Sequence, residues 1–268
     1  MLLEDTNIFL TGGSRGIGKC AILELVKQGA NVAFTYVSSE TGAKDTVAQC
    51  KEINPEADVR FYQLNVKNSE QVDAVASQAI EEMGRIDVVV NNAGNLNDGL
   101  IHSMTNEQWD DVIQTHLTGT FYVCRAFLEE FIINKGGKFI NVTSLSAEGS
   151  AGQANYSAAK AGIIGFSKAL AKEYGNLDIY CNVIMPGFFR TELTAANAND
   201  VIIEGHVRLS ILQREGDASE FGKALVFLAS DQSSFVSGHV LNVTGGLGFL
   251  PPVTPRRKKK KTVAQEIK

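Results

Sequence analysis

Proline is scarce in this chain, with five residues in 268. That scarcity and a 44% hydrophobic content suit one compact domain with a full core better than two separate domains. Cysteine is scarce as well. Cys20, Cys50, Cys124 and Cys181 lie far apart without a C-x-x-C pair, so neither a zinc site nor a disulfide framework is suggested, and a reducing cytosol fits. No apolar run approaches the length of about 20 residues needed to cross a bilayer. The opening MLLEDTNIFL carries acids within its first five positions and passes straight into a strand pattern, unlike a signal peptide. Clustered positive charge is missing from most of the chain. The net charge is −5, but residues 250 to 268 hold two Arg and five Lys against one Glu, which leaves −11 on the rest. An acidic body argues against a nucleic-acid face, because phosphate binding needs grouped Lys and Arg. Only the tail is a candidate for contact with an anionic partner.

What is present is an alternation of short apolar runs with amphipathic stretches. NIFLTG is followed by 16 to 28, NVAFTY by 40 to 53, VRFYQLNV by 69 to 82 and IDVVVNNAG by about 106 to 133. KFINVTS then precedes about 155 to 174, DIYCNVIMPG precedes helical segments near 194 to 206 and 217 to 229, and HVLNVTGG ends the series. Near-continuous apolar strands are buried on both faces, and their alternation with helices predicts parallel βαβ units covered on both sides. The expected fold is α/β, a doubly wound parallel sheet in a single domain over 1 to 249, with 250 to 268 as a basic, disordered tail. In such sheets ligands sit beyond the carboxyl ends of the strands.

Three motifs fall at those ends. TGGSRGIG, residues 11 to 18, joins the first strand to a helix, and its glycines permit a tight turn and close backbone approach to a pyrophosphate attracted by the helix N-terminus. The second strand ends in Tyr36, Val37, Ser38 and Ser39, with no acid to receive ribose hydroxyls until Glu40. Arg15, with Ser38 as a neutral partner, would instead meet a 2′-phosphate, which favours NADP. NYSAAK places Tyr156 and Lys160 four apart on one helix face. There the ammonium is expected to lower the phenol's reference pKa of about 10 and make it a proton donor to a ketone under reduction. Ser144, after KFINVTS, would orient the carbonyl, with Thr143 as a rival hydroxyl.

Together, TGGSRGIG, NNAG at 91 to 94, Ser144, Tyr156-x-x-x-Lys160 and the PG at 186 to 187 resemble the short-chain dehydrogenase/reductase family, in order over residues 5 to about 248. GQANYSAAKAGIIGFSKALAKE and MPGFFRTELT are most similar to its 3-oxoacyl-acyl-carrier-protein reductases. The resemblance implies a Rossmann-type sheet of about seven strands, hydride transfer from NADPH, and a homotetramer whose helices 106 to 133 and 155 to 174 pair between subunits. It implies reduction of a 3-oxoacyl thioester, linked to acyl carrier protein or coenzyme A, in fatty-acid or related lipid biosynthesis. It assigns Gly12, Ser14, Arg15, Gly16, Ile17 and Gly18 to the phosphate end of the cofactor. Asn65 and Val66 would flank the adenine, while Asn92, Ala93 and Gly94 would line the middle of the cofactor. Lys160 would hold the nicotinamide ribose as well as tuning Tyr156, and Pro186, Gly187 and Thr191 would seat the nicotinamide. No metal, nucleic acid or membrane span is expected.

Two departures stand out. His116 in THLTGTF occupies the place of the family's relay asparagine, which helps hold a water linking the lysine to solvent. An imidazole both donates and accepts and ordinarily titrates near neutral pH, so His116 reads either as a modified relay or as a satisfied packing residue. At two positions where related reductases carry cations that dock the carrier, this chain has Lys135 and Leu177. His102, Met104 and Trp109 read as cleft-lining or packing residues, and 192 to 212 lies where the family has a substrate lid. Two rivals accompany the main reading: a same-fold oxidoreductase of a free alcohol, sugar or polyketide ketone, and a weakened paralogue serving as a nucleotide-binding partner subunit.

Overall fold

The computed structural model describes residues 1–190 and 200–248. Seven parallel strands form one sheet in the order β3-β2-β1-β4-β5-β6-β9. They are β1 (Asn7–Leu10), β2 (Asn31–Tyr36), β3 (Val59–Gln63), β4 (Val88–Asn91), β5 (Gly137–Val142), β6 (Ile179–Pro186) and β9 (Val240–Val243). A separate two-residue pair joins β7 (Phe189–Arg190) to β8 (Gly216–Asp217). The expected seven-strand doubly wound sheet is therefore observed. The order reverses between β1 and β4, and that switch point opens the crevice in which such sheets bind ligands.

Helices cover both faces because the strands are apolar on both. α1 (Gly16–Lys27), α2 (Glu40–Ile53) and α8 (Ala218–Ala229) bury Ile22, Leu25, Ala43, Phe221 and Leu225 on one side. On the other, α3 (Ser69–Met83), α5 (Gly119–Ile133) and α6 (Ala154–Tyr174) bury Val72, Val123, Phe127, Phe131 and Leu170. Phe9 of β1 and Phe127 of α5 meet with ring centroids 4.7 Å apart, as do Phe131 and Phe139 of β5. Helix starts follow local chemistry. Ser39 and Asn68 accept from backbone N–H groups two residues into α2 and α3, and capping boxes at Thr105/Gln108 and Asp217/Glu220 open α4 (Asn106–Ile113) and α8.

The expected single helix over 106 to 133 is interrupted. α4 ends at Ile113, residues Gln114–Thr118 form one π turn, and α5 resumes at Gly119. The amphipathic period of this stretch carries no sign of the inserted residue, and π bulges of this kind gather at functional sites. Between α6 and α8 the expected helical segment near 194 to 206 is a helix, α7, over Asp200–Leu209. The preceding residues 191–199, including Thr191, and the tail from 249 lie outside the described residues. No described helix is long and apolar enough to cross a membrane.

Truncating Phe127, which is fully buried against Phe9, should cost about 3–5 kcal/mol in Phe127→Ala. Urea unfolding measures this, and a loss below about 1 kcal/mol would show that the α5 face is not the core described here.

Candidate active site

The crevice begins with the turn after β1. Gly12 takes φ +76° and Gly16 φ +61°, and a Cβ on Gly18 would lie 2.2 Å from the Gly12 carbonyl oxygen and 2.6 Å from Asn92 Nδ2. The turn thus closes only because its last glycine has no side chain. Arg15 stands at the N-cap of α1 with extended backbone and no side-chain cap, leaving the first N–H groups of the helix available to an anion. Ser14 and Ile17 are half-buried along the turn, and the Arg15 side chain is exposed.

Across the switch point, Thr11 binds the turn to the loop after β4. Its Oγ1 accepts from Asn92 N and Ala93 N, both at 3.0 Å, while Asn92 Nδ2 donates to the carbonyls of Thr11 and Gly12 at 3.0 and 2.9 Å. Asn92 and Ala93 therefore form the floor between the two strands, and Thr11 is a positioning residue absent from the sequence-based set.

The adenosine side agrees with the strand-end reading. β2 stops at Tyr36, Val37 and Ser38 are exposed, and Ser39 is occupied in capping α2. The first acid, Glu40, pairs with Lys44 at 2.8 Å one helical turn away. Asn65 is exposed, and its Oδ1 accepts from Lys67 N at 3.1 Å. The Val66 side chain, by contrast, is buried against Gly119 and so offers a ligand only its backbone.

Tyr156, Lys160 and Ser144 come together above β5. Lys160 is 4% exposed, its Nζ donates to Val142 O at 2.8 Å, and the same Nζ lies 5.5 Å from the Tyr156 ring centroid. Burial of this ammonium holds its pKa down to about 7. Thr143 Oγ1 donates to Lys160 O at 2.7 Å, so the rival hydroxyl is committed to structure and Ser144 is the one facing the tyrosine. Ser144 Oγ accepts from Ser146 N at 3.2 Å, which leaves its proton to donate.

Tyr156 corrects one expectation. Burial pushes its phenol above the ordinary 10, the Ser144 hydroxyl pulls the other way, and the charge of Asp98 adds to the rise. Lys160 points to Val142 rather than to the phenolic oxygen, so desolvation outweighs the lowering read from the four-residue spacing.

His116 corrects another. It sits in the π turn, 3% exposed, edge-on to the Tyr156 ring with centroids 5.0 Å apart. Burial, reinforced by the Lys160 charge, holds its pKa down to about 3, so the imidazole is neutral at physiological pH and does not titrate near neutrality. Nε2 lies 2.8 Å from Asn95 O and is also 3.2 Å from Asn95 N, while Nδ1 is buried with no hydrogen-bond partner. Nε2 either donates to Asn95 O or accepts from Asn95 N, and the tautomer decides which of the two bonds is made. A Cβ on Gly94 would fall 2.3 Å from His116 Cε1, so this histidine demands a glycine at the end of NNAG.

Pro186 ends β6, and Gly187 has no room for a side chain, since a Cβ would lie 2.7 Å from Thr244 Cα. Beside it opens a cleft of about 260 Å³ lined by Phe188, His206, Leu212, Asn242 and Leu247. It flanks the serine–tyrosine–lysine cluster without containing it. Trp109 and His102 are exposed and Met104 half-buried on the segment preceding and opening α4. Among the described residues no group of His, Cys, Asp and Glu is arranged to hold a metal.

The residues present fit a dinucleotide: a cradle that a Cβ at Gly18 would fill, an uncapped helix N-terminus, and a buried lysine at the far end of the crevice. Comparisons with known proteins point the same way. The family model described as enoyl-(acyl carrier protein) reductase matches residues 12–248. The chain is 41% identical over 247 residues to the 3-oxoacyl-[acyl-carrier-protein] reductase FabG of Chlamydia trachomatis, covering 92% of this chain and 98% of that protein. It is 38% identical over 253 residues to the FabG of Salmonella typhimurium, covering 92% and 99%. Among solved structures, levodione reductase superposes with a TM-score of 0.85 at 30% identity, covering 91% of this chain and 98% of that one. A short-chain alcohol dehydrogenase from Sinorhizobium meliloti, described as putative, gives 0.86 at 30% identity, covering 91% and 97%.

The neutral His116 has a consequence for stability. Unfolded, it takes a proton below its ordinary 6.5, whereas folded it stays neutral to about 3. The fold binds fewer protons in that window, so stability falls as pH drops through it, by about 1.4 kcal/mol per unit. Urea unfolding at pH 6.5 and 4.5 should show His116→Asn losing about 2–3 kcal/mol less than the parent over that interval. Equal losses would contradict the buried neutral imidazole.

Proposed function

The chain belongs to the short-chain dehydrogenase/reductase family, and from that premise we propose that it reduces a 3-oxoacyl thioester to the 3-hydroxyacyl thioester with NADPH. It is an oxidoreductase that uses a nicotinamide cofactor. The observation that carries the finer reading is the joint placement of Ser144 and Tyr156 beside a buried Lys160. Two hydroxyls converge there where a ketone oxygen would develop negative charge.

Bound cofactor supplies the hydride, and the protein's own residues do the rest. Tyr156, protonated across the physiological range, gives its proton to the carbonyl oxygen. Ser144, whose Oγ accepts from Ser146 N–H and whose proton remains to be given, donates a hydrogen bond to the same oxygen. Lys160, its ammonium close to the tyrosine ring and buried so that it carries its charge only below about pH 7, holds the nicotinamide ribose. Gly12, Ser14, Gly16, Ile17 and Gly18 receive the pyrophosphate, Asn92, Ala93 and Gly94 line the middle, and Pro186 and Gly187 seat the nicotinamide. Preference for the 2′-phosphorylated cofactor rests on exposed Arg15 and Ser38 and on the diversion of Glu40 to Lys44.

The substrate class rests on the relatives named above and on the acceptor geometry. Lys135, exposed with φ +53° between α5 and β5, offers a cation to an acidic carrier, whereas Leu177 offers none. Assembly as a homotetramer is supported by the exposed aromatic face of α5, where Phe121 is 41% exposed and meets Phe166 of α6. The intact serine, tyrosine and lysine cluster argues against a weakened nucleotide-binding subunit.

Tyr156→Phe should abolish NADPH oxidation by a short 3-oxoacyl thioester while cofactor binding, read by fluorescence, persists. Retained turnover would overturn the mechanism. Replacing NADPH with NADH should lower kcat/KM at least tenfold, an order of magnitude set by one lost ion pair with hydrogen bonds. Free ketones and an enoyl thioester in the same assay separate the neighbouring activities, and coenzyme A and acyl-carrier-protein thioesters of one acyl group identify the carrier. Light scattering should give four times the 28.9 kDa chain mass, and monomer mass would contradict the paired helices.

A further inference from the structure

The loop after β4 and the loop after β5 are joined by a hydrogen-bond chain that ends at Ser144. Asp98 Oδ2 accepts from Gln153 Nε2 at 2.9 Å. Gln153 Oε1 accepts from Ser146 Oγ at 3.0 Å, and Ser146 N donates to Ser144 Oγ at 3.2 Å. On either side of Asp98 the same loop is fixed to the start of α6: Asn155 Nδ2 donates to Asn97 O at 3.0 Å, and Gly99 N to Gly152 O at 2.8 Å.

The polarity of this chain follows from its outer end. An amide presents an oxygen and an NH2 of nearly the same shape, and only its partners decide which way it faces. An ionised carboxylate accepts and cannot donate, so Asp98 selects the Gln153 orientation in which Nε2 points outward and Oε1 toward Ser146. The Ser146 hydroxyl then donates to Oε1, which fixes Ser146, and the backbone N–H of the same residue donates to one lone pair of Ser144 Oγ. Ser144 keeps its proton and a second lone pair, and its hydroxyl faces Tyr156. Asp98 also stands near enough for its charge to act on Tyr156. The groups facing Tyr156 are Lys160 on its own helix, His116 from the π turn, Ser144 from the β5 loop and Asp98 from the β4 loop.

We propose that Asp98 and Gln153 are positioning residues for the reduction: through Ser146 they fix the loop that holds the Ser144 hydroxyl beside Tyr156, with the Asp98 carboxylate facing the same phenol. The proposal rests on the reading of Tyr156 as proton donor, and it gives the β4 loop a part in the chemistry beyond lining the cofactor.

The two roles separate in two variants. Asp98→Asn should lower kcat about tenfold at pH 7, less than the roughly 100–1000-fold cost of removing an oxyanion donor, because Ser144 is displaced and not removed. Removing a negative charge lowers the tyrosine pKa, so the alkaline limb of kcat/KM should move to lower pH. Gln153→Leu leaves the carboxylate in place and should show the same fall in kcat with the limb unmoved. On a Ser144→Ala background neither change should lower kcat further, because both act through that hydroxyl. A fall that is equal at every pH and multiplies with Ser144→Ala would overturn the proposal, and so would an Asp98→Asn enzyme with parental kcat and limb. The parent enzyme is assayed first with the thioester and, should that fail, with the ketone it does reduce, so the substrate reading fails separately. Ultraviolet titration of the phenol, taken as the difference between each protein and its Tyr156→Phe form, needs no substrate. It should show the same downward shift in Asp98→Asn, and an unchanged midpoint would contradict the proposal.

Discussion

The grip of β5 on Lys160 is the constraint on which the rest of the site depends. Val142 O accepts from the Lys160 ammonium and Thr143 Oγ1 donates to the Lys160 carbonyl, so two consecutive residues at the end of one strand hold both ends of one residue in α6. Thr143 is itself fixed by its backbone N–H to Ile184 of β6. A buried ammonium with a single carbonyl partner is costly, and its pKa falls as a result. What the arrangement secures is register. With Lys160 seated, Tyr156 lies one helical turn earlier at the mouth of the crevice, and the next residue of the chain after Thr143 is Ser144. The three groups of the proposed reaction are therefore placed by one clamp.

Around that clamp the crevice is built from backbone and small residues rather than charge. Thr11 and Asn92 bind the two sides of the switch point, and glycines at 12, 16 and 18 bring the backbone within reach of a pyrophosphate. His116 belongs to the same logic. It fills the space that Gly94 leaves open, contacts the Asn95 backbone through Nε2, and stays uncharged at neutral pH. Its Nδ1 is buried without a hydrogen-bond partner, and the ring does not titrate near neutral pH.

Much of this was legible in the sequence because the signals are local. Seven β-branched runs read directly as seven strands, and TGGSRGIG, Tyr156 and Lys160 fall where strand ends and a helix face require them. Two things were not legible. The π turn at Gln114–Thr118 leaves no mark on the apolar period, since one extra residue in a turn shifts the stripe by less than the stripe is wide. The direction of the Tyr156 shift was misread because spacing reports that two side chains share a face, not where the ammonium points. The Val142 carbonyl that diverts it is a backbone atom, which no residue pattern announces. The chain from Asp98 through Gln153 to Ser146 was missed for a related reason: its members are 55 and 7 residues apart and meet only when the β4 and β5 loops close on each other.

The most direct test of this account is the titration of the Lys160 ammonium in the intact protein, followed by 13C and 15N NMR of the labelled lysine side chain and assigned with Lys160→Met. Burial against Val142 predicts a midpoint near 7. A Lys160 that keeps its proton to its ordinary value near 10 would contradict the clamp, and with it the arrangement of serine, tyrosine and lysine that the proposed reduction requires.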